Sequence, residues 1–205
     1  LSRLPAQMIR DQALSLGGLL VDRVGGPPVY PYQPEGLWAQ AGESYPQSEG
    51  DDLYRRSLYT YWRRTLGPPE MLTFDHSTRE VTNVRTERTN TPLHALTLMK
   101  DVTYVEAARG LAQRMMTEGG STLEQRLSYA YRLATSQPPQ PDAEAALVDN
   151  FHQNLDHYRA DRQAALDLVS MGESPRDETL DITELASYTM MAYVILNIDR
   201  TNNKE

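Results

Sequence analysis

Residues 101–120 read DVTYVEAARGLAQRMMTEGG, and residues 182–198 read ITELASYTMMAYVILNI. In the first stretch, apolar side chains recur at helical spacing, which predicts a helix with one buried face. Asp101 stands where an N-cap is expected, and Gly119 stands where the helix should end. The second stretch predicts a helix that begins after Asp181. We interpret this helix as a buried core helix, because the stretch falls short of the roughly 20 apolar residues that a membrane span needs. We therefore expect a mostly α fold with several helices around one core.

Further helices are predicted around these two stretches. Thr91 is a suitable N-cap, followed by proline at the first helical position, for a helix that runs to about residue 99. Ser121 and Glu124 have the spacing of a capping box, which opens another helix. Beyond a proline-rich break, a long helix carries an apolar face formed by Leu147, Phe151, Leu155 and Tyr158. Residues 91–205 are thus expected to form a regular multi-helix bundle.

Residues 21–52 differ in composition from the rest of the chain. Prolines and aromatic residues alternate there, namely Pro27, Pro28, Tyr30, Pro31, Tyr32, Pro34, Trp38, Tyr45 and Pro46. Neither a helix nor a central strand tolerates this proline density, so we expect an extended, partly polyproline II segment wrapped on the outside of the bundle. Two roles stay open for it. It is either a strap that covers the core, which we favour, or a long binding loop.

The remaining N-terminal elements are less regular. A first helix is predicted over residues 4–20, and we interpret Gly17 and Gly18 near its end as a site of close packing. A second helix, rich in tyrosine and arginine, is predicted over residues 52–66. Residues 70–90 are expected to be irregular.

The composition limits the partners and the chemistry. The chain has 205 residues with 20 Lys and Arg, 28 Asp and Glu and no cysteine, for a net charge of −8. Negative charge repels phosphate backbones, which argues against nucleic acid as the main partner. Without cysteine, the chain cannot form disulfides, thiolate metal sites or covalent haem links of its own. We expect residues 1–205 to form a single helical domain and, since an initiator Met is missing, to be a piece of a larger protein.

No familiar catalytic motif occurs in the sequence. It has no G-x-S-x-G elbow, Walker loop, G-x-G-x-x-G fingerprint or H-E-x-x-H pair, which removes the common hydrolase, nucleotide-binding and zinc-protease interpretations. His152 and His157 are separated by about 140° around a helix, so they cannot share a metal on one face. We predict no catalytic residue, no metal ligand and no cofactor for this chain.

One irregular stretch concentrates polar side chains. Asp75 and Glu87 would suit an acid/base pair. Arg85 and Arg88 would suit a clamp for a carboxylate or a sulfate. The alternative, which we favour, is a structural network in which these charges pair with one another and Asn90 caps a helix. The full set of candidate ligand-binding residues is Trp38, Arg55, Arg56, Tyr59, Asp75, Arg85, Arg88 and Asn90.

Several short strings occur together in an order that is typical of one known family. They are Arg3-Leu4-Pro5-Ala6, Gly25-Gly26-Pro27-Pro28-Val29, Pro31-Tyr32-Gln33-Pro34, Arg55-Arg56-Ser57-Leu58-Tyr59-Thr60, Phe74-Asp75, Arg88-Thr89-Asn90-Thr91-Pro92, Gly172-Glu173-Ser174-Pro175 and Asn197-Ile198-Asp199. With these strings the chain resembles, over nearly its whole length, the domain of unknown function numbered 1553. That domain is the C-terminal domain of large planctomycete and verrucomicrobial proteins. Relatives often have a cysteine near the position of Asn83, and they continue Asp-Glu-Thr where this chain reads Asp199-Arg200-Thr201.

The resemblance implies a context and no particular reaction. In the family, the domain usually follows another uncharacterised domain and often a planctomycete-type cytochrome c domain, and the proteins are typically exported. Our leading hypothesis is therefore a non-catalytic scaffold or interaction domain whose partners are neighbouring domains or a partner chain, with haem in another domain of the parent protein. The alternative is a domain that binds or processes carbohydrate or sulfated glycan. A third interpretation offers His94 or a methionine as a haem ligand in trans.

Overall fold

The computed structural model describes residues 2–39, 42–63, 65–78, 80, 82, 84, 89 and 91–204. Within them the helices are α1 (Ala6–Leu16), α2 (Pro69–Thr73), α3 (Pro92–Lys100), α4 (Val102–Glu118), α5 (Leu123–Thr135), α6 (Pro141–Ala160), α7 (Arg162–Val169), α8 (Ile182–Asn197) and α9 (Asp199–Asn202). Two short strands, β1 (Ser2–Arg3) and β2 (Asn203–Lys204), pair antiparallel near the two ends of the chain. This confirms the mostly α fold.

The core is centred on the contact between α4 and α8, the two stretches whose apolar patterns predict the helical fold. Helix α8 also packs against α6 and α7, and α4 also packs against α1. Leu111, Met115, Leu185 and Met191 are completely enclosed at these contacts. The apolar face predicted on α6 is confirmed, since Leu147, Phe151, Leu155 and Tyr158 are all buried. Within the described ranges, no helix is both long enough and apolar enough to span a bilayer.

The helix starts follow the predicted caps, with one correction. The carboxylate of Asp101 accepts a hydrogen bond from the amide of Thr103 (2.9 Å), and Asp181 caps α8 in the same way. The capping box of α5 lies one residue later than predicted. Its members are Thr122 and Gln125 instead of Ser121 and Glu124, because the helix begins at Leu123.

Helices α1 and α4 approach each other at glycine residues. A Cβ atom on Gly17 would lie 2.6 Å from the carbonyl oxygen of Ala107, and one on Gly110 would lie 2.3 Å from the carbonyl oxygen of Gly17. Only glycine fits at either position without movement of the backbone. The close packing predicted at Gly17 is therefore confirmed, although α1 is shorter than predicted and ends at Leu16.

The long irregular segment is also confirmed, but the helix predicted over residues 52–66 is wrong. That region holds two short 3₁₀ turns, Gly50–Tyr54 and Ser57–Tyr59. Isolated parallel bridges, such as the one between Val29 and Thr60, join it to the proline-rich segment. Leu53 and Tyr54 pack with Leu14 of α1, whereas Trp62 packs against the main core. These side chains therefore do not share one helical face, and tertiary packing overrides the local helical pattern.

Candidate functional site

A polar group in the described part of the chain joins three segments that are distant in sequence, and we call it the Arg3 junction (Arg3, Phe74, Asp75, Thr89 and His94). The side chain of Arg3 is almost fully buried. Its Nη2 donates to the carbonyl oxygen of Phe74 (2.9 Å) and to Oδ2 of Asp75 (2.6 Å), and its Nη1 donates to the carbonyl oxygen of Thr89. Charge-assisted bonds of this kind are the strong ones in proteins. Arg3 therefore ties β1 to the end of α2 and to the chain before α3.

Asp75 is held in an unusual backbone conformation by this junction. Its φ angle is +58°, which is uncommon for a residue with a side chain and is tolerated best by aspartate and asparagine. Burial alone would raise the pKa of its carboxyl, but hydrogen bonds from Thr89 and from Arg3 outweigh that effect and hold the pKa below its usual value. Asp75 is thus ionised at neutral pH, which suits it to an ion pair and not to a general acid.

His94 is buried in the junction as a neutral ring. Its Nδ1 accepts a hydrogen bond from the amide of Thr91 (3.2 Å), so its Nε2 must carry the proton that it donates to the carbonyl oxygen of Thr73 (2.8 Å). Burial, together with the positive charge of Arg3, lowers the pKa of His94. Both ring nitrogens are engaged, which leaves neither of them open to a haem iron.

Two hollows flank Phe74. The smaller, of about 60 Å³, lies between the junction and the C-terminal residues Asn197, Asp199, Asn202 and Asn203. The larger, of about 190 Å³, lies on the other side against Gln7, Asp75 and His76. There His76 lies 2.8 Å from the side-chain nitrogen of Gln7, and its other ring nitrogen lies 2.8 Å from the carbonyl oxygen of Ser77. The junction and its hollows bring together four of the strings that carry the family resemblance.

Of the predicted ligand-binding residues, the structure places only Asp75 in this junction. Arg85, Arg88 and Asn90 lie outside the described residues, as does Glu87, so their roles stay predictions. The proposed acid/base pair is disfavoured on physical grounds, because the carboxylate of Asp75 already accepts hydrogen bonds from Arg3 and Thr89.

Arg55 and Tyr59 hold a loop elsewhere in the molecule. The guanidinium of Arg55 is fully buried and donates to the carbonyl oxygens of Arg23 (3.0 Å), Gly25 and Pro27 (3.1 Å). Its central carbon lies 4.0 Å from the centre of the Tyr59 ring, and the Tyr59 hydroxyl accepts a hydrogen bond from the Gly25 amide (2.7 Å). Ligand binding by this pair stays a prediction, and enclosure of the guanidinium argues against it.

Arg56 and Trp38 are placed apart from each other and from the junction. Arg56 is half exposed and faces the carboxylates of Asp11 (3.7 Å) and Asp22 (3.9 Å). Trp38 is buried, and its indole nitrogen donates to Oε1 of Gln33 (2.9 Å). The candidate residues that the structure describes therefore do not form one site.

Trp38 belongs to an aromatic cluster in the irregular segment. The rings of Tyr30 and Tyr61 stack at 4.8 Å, and the ring of Tyr45 lies 5.2 Å from that of Trp38. Arg63 lies over Trp38 and pairs with a glutamate at the rim (2.7 Å). A hollow of about 320 Å³ opens beside this cluster and is lined by Gln33, Glu35, Trp38, Glu43, Tyr45 and Gln47 among others. Aromatic and polar side chains of this kind line many small-molecule sites.

A second set of buried ionisable groups lies where α2 meets the start of α4. Burial, and then the negative charge of Asp101, raise the pKa of Glu70 to about 7. Burial also raises the pKa of Asp101 itself and, to a larger extent, that of Tyr104. The charge of Glu70 therefore changes near neutral pH, which makes the stability of this contact dependent on pH.

Sequence reasoning missed Arg3 and the asparagines at the C-terminal end. Arg3 and Asn197 had as their only signal membership of the strings Arg3-Leu4-Pro5-Ala6 and Asn197-Ile198-Asp199, and Asn202 and Asn203 had none. Among the described residues, no group of three or more His, Cys, Asp or Glu side chains is arranged to hold a metal ion.

Comparison with known proteins supplies a family. The family model PSD1, described as a protein of unknown function (DUF1553), matches residues 1–151. The match covers most of the chain, so the chain belongs to this family. The matched range ends before the strings at residues 172–175 and 197–199, so the assignment of these two strings to the family rests on the resemblance alone. No curated protein and no solved structure matches the chain.

Proposed function

We propose that this member of the DUF1553 family is a non-catalytic scaffold domain that docks a neighbouring domain of its parent protein. The observation that carries the proposal is the outer face of α3. There Leu93, Leu96 and Met99 expose 61%, 50% and 46% of their surface. Their spacing of three residues makes them neighbours on the helix surface. Neighbouring apolar side chains that face outward are typical of interaction sites.

The opposite face of α3 accounts for the position of this surface. His94 and Leu98 are buried against the body of the domain, and they fix the rotation of the helix. The polar bonds of the Arg3 junction then fix its N-terminal end. A rigid helix with an apolar outer face loses little conformational entropy on docking, which favours binding.

The state of the Arg3 junction supports a role without catalysis. Its carboxylate, imidazole and guanidinium bond to one another or to backbone groups, and this consumes the groups that a reaction would need. A general base needs a lone pair within reach of its substrate. The junction instead stabilises the N-terminal end of α3.

The family resemblance supports the choice of partner and of compartment. Relatives place this domain after other domains in exported, cytochrome-associated proteins, so the partner that we propose is such a neighbour. Haem, where present, would belong to another domain of the parent. Purification of the intact parent protein from its source, with an optical spectrum, tests this context. A parent protein without haem would remove the cytochrome association and leave the docking proposal standing.

A charge on the outer face of α3 tests the docking itself. In the full-length parent protein, Leu96→Glu should weaken docking, so that proteases cleave the link between this domain and its neighbour about tenfold faster or more. The reason is that burial of one apolar side chain at an interface contributes more than about 1.4 kcal/mol to the binding free energy. The matched control is Leu133→Glu on α5, where 38% of the leucine is exposed, and it should leave the cleavage rate unchanged. If both variants and the unsubstituted full-length protein were cleaved at the same rate, docking through α3 would be refuted.

A second candidate function is binding of a neutral carbohydrate in the hollow beside Trp38. Rings of Trp38 and Tyr45 and the planar polar groups of Gln33, Glu35 and Gln47 are the side chains that recognise sugar rings. Sulfated glycan is a poorer fit, because Arg63, which lies over Trp38, is already paired with Glu43 (2.7 Å). Affinity electrophoresis in neutral polysaccharides tests this function. Retardation that is lost in Glu35→Ala and Gln47→Ala would support it, and unchanged mobility in every polysaccharide would exclude it.

A further inference from the structure

The small hollow beside the Arg3 junction is lined at its C-terminal side by an unusual set of oxygen-bearing side chains. Asn197, Asp199, Asn202 and Asn203 all line this hollow of about 60 Å³, and Arg3 and Thr91 line it as well. Three amides and one carboxylate thus lie within seven residues of sequence, at the end of α8, in α9 and at the start of β2. A hollow of this size has room for about one small ion and one water molecule.

The orientation of the three amides is fixed by their hydrogen bonds. The Nδ2 atom of Asn197 donates to the carbonyl oxygen of Tyr193 (3.0 Å), and that of Asn202 donates to the carbonyl oxygen of Leu196 (2.7 Å). The Nδ2 atom of Asn203 donates to the carbonyl oxygen of Asp199 (2.9 Å). A carbonyl oxygen can only accept, so each amide must point its nitrogen at the backbone. Each asparagine keeps its Oδ1 oxygen, and its second N–H, for other partners.

These oxygens have no donor within the part of the chain that the structure describes. No hydrogen bond or ion pair from a described residue reaches the three Oδ1 atoms or the carboxylate of Asp199. The nearby guanidinium of Arg3 is already neutralised by Asp75 at 2.6 Å. His94 is neutral, since its Nδ1 accepts and its Nε2 donates. The hollow is therefore bordered by acceptors with one uncompensated negative charge.

We propose that this hollow binds a hard cation of the calcium class. Calcium takes carboxylate, amide and hydroxyl oxygens together with water, and it tolerates irregular geometry. Magnesium needs a tighter octahedral shell and is a poorer match for side chains that are already held by the backbone. With a single carboxylate, the dissociation constant should be on the order of 10⁻⁴–10⁻³ M, as in weak extracellular sites. The ion would link the end of α8 to the start of α3.

The test is the thermal unfolding midpoint of the domain with and without calcium chloride, at ionic strength matched with sodium chloride. At ten times the dissociation constant, calcium should raise the midpoint by about 3–6 °C. Magnesium at the same concentration should give a much smaller rise. Equal rises with calcium and magnesium, or none above the sodium control, would overturn the proposal.

Variants locate the effect. Asp199→Asn keeps the shape and removes the charge, so the calcium-dependent rise should disappear. The matched control is Asn154→Ala, since Asn154 also donates its amide to a carbonyl four residues earlier but lies on α6, and the rise should persist in full. If Asp199→Asn does not fold, Asn197→Ala with calorimetric titration replaces it, and weaker calcium binding is expected. Undiminished binding in the Asp199 or Asn197 variant would refute a site in this hollow.

Discussion

The helical bundle and the irregular segment satisfy their backbone hydrogen bonds in different ways. In α4 and α8, amides and carbonyls pair within each helix, so the side chains are free to pack the core. The described residues between 17 and 66 have few such pairs, because prolines remove amide donors and short bridges and turns stand in place of helices. Their buried carbonyl oxygens need donors from elsewhere.

Buried arginines supply those donors. Arg10 donates to the carbonyl oxygens of Leu53 (2.7 Å) and Arg55 (2.9 Å), and Arg55 in turn serves the loop at residues 23–27. Arg109 donates to the carbonyl oxygens of Val169, Met171 and Ser174, at the end of α7 and after it. Arg3 donates to carbonyl oxygens between α2 and α3. One guanidinium has five N–H donors in a plane, so a single side chain can hold several carbonyls.

This difference shows where each region is vulnerable. The bundle depends on the volume and shape of many apolar side chains, and the loss of one leaves the others in place. The irregular segment depends on a few charged side chains, and the loss of one leaves several buried carbonyls without donors. Substitutions in the two regions should therefore differ in size and in reach.

The largest effect is expected from Arg10→Met. The substitution keeps apolar volume but leaves the carbonyls of Leu53 and Arg55 without donors, so it should cost about 3–5 kcal/mol in the free energy of unfolding. Urea denaturation measures that cost. The exposed arginine of the 4.0 Å ion pair with Asp181 provides a control, and Arg162→Met should change stability by less than about 1 kcal/mol. A small effect of Arg10→Met would remove the proposed dependence on buried guanidinium groups.

The next effect tests the bundle. Leu111 is fully enclosed on α4, and Leu111→Ala should cost about 3 kcal/mol through lost burial and the cavity that remains. Hydrogen exchange distinguishes the two losses. Protection should fall throughout the helices for Leu111→Ala but mainly in residues 50–59 for Arg10→Met. Identical exchange patterns would show that the two regions unfold as one unit.

Glu70 provides a pH-dependent test at the border of the two regions. Its pKa is raised from 4.5 to about 7 in the folded protein, so folding becomes less favourable as pH rises through that window. Glu70→Gln should therefore stabilise the protein at pH 8 by roughly 2–3 kcal/mol and should have little effect below pH 4.5. Thermal unfolding at the two pH values measures the difference. A stabilisation that is equal at both pH values would contradict ionisation as its cause.

The smallest effect concerns the start of α5. Thr122→Ala should cost about 1 kcal/mol, because Thr122 accepts a hydrogen bond from the amide of Gln125 (3.3 Å). Ser121→Ala should cost much less, since Ser121 lies outside the cap. The reverse order would restore the capping box that the sequence predicted.

The regular half could be predicted from sequence because its signals are local. Asp101 and Asp181 cap the helices that the apolar periodicity predicts, and the face of α6 follows from spacing alone. The irregular half could not be predicted in the same way. Its structure depends on contacts between distant residues, such as Arg10 with Leu53, which leave no periodic pattern.

The candidate site was only partly predictable for the same reason. Asp75 could be singled out as a polar residue in an irregular stretch, but its partner Arg3 lies 72 residues away in sequence. The asparagines of the small hollow gave no separate signal, because each amide is ordinary until its hydrogen bond fixes the direction of its oxygen.

The pairing of β1 with β2 has a mechanical consequence. Ser2 pairs with Lys204 and Arg3 pairs with Asn203, so both ends of the described chain leave the domain at one place. Tension applied through flanking polypeptide would pull this ladder apart one residue pair at a time, as a zipper opens. Arg3 and Asn203 also line the small hollow. The applied force would therefore deform this hollow before it reached the helices.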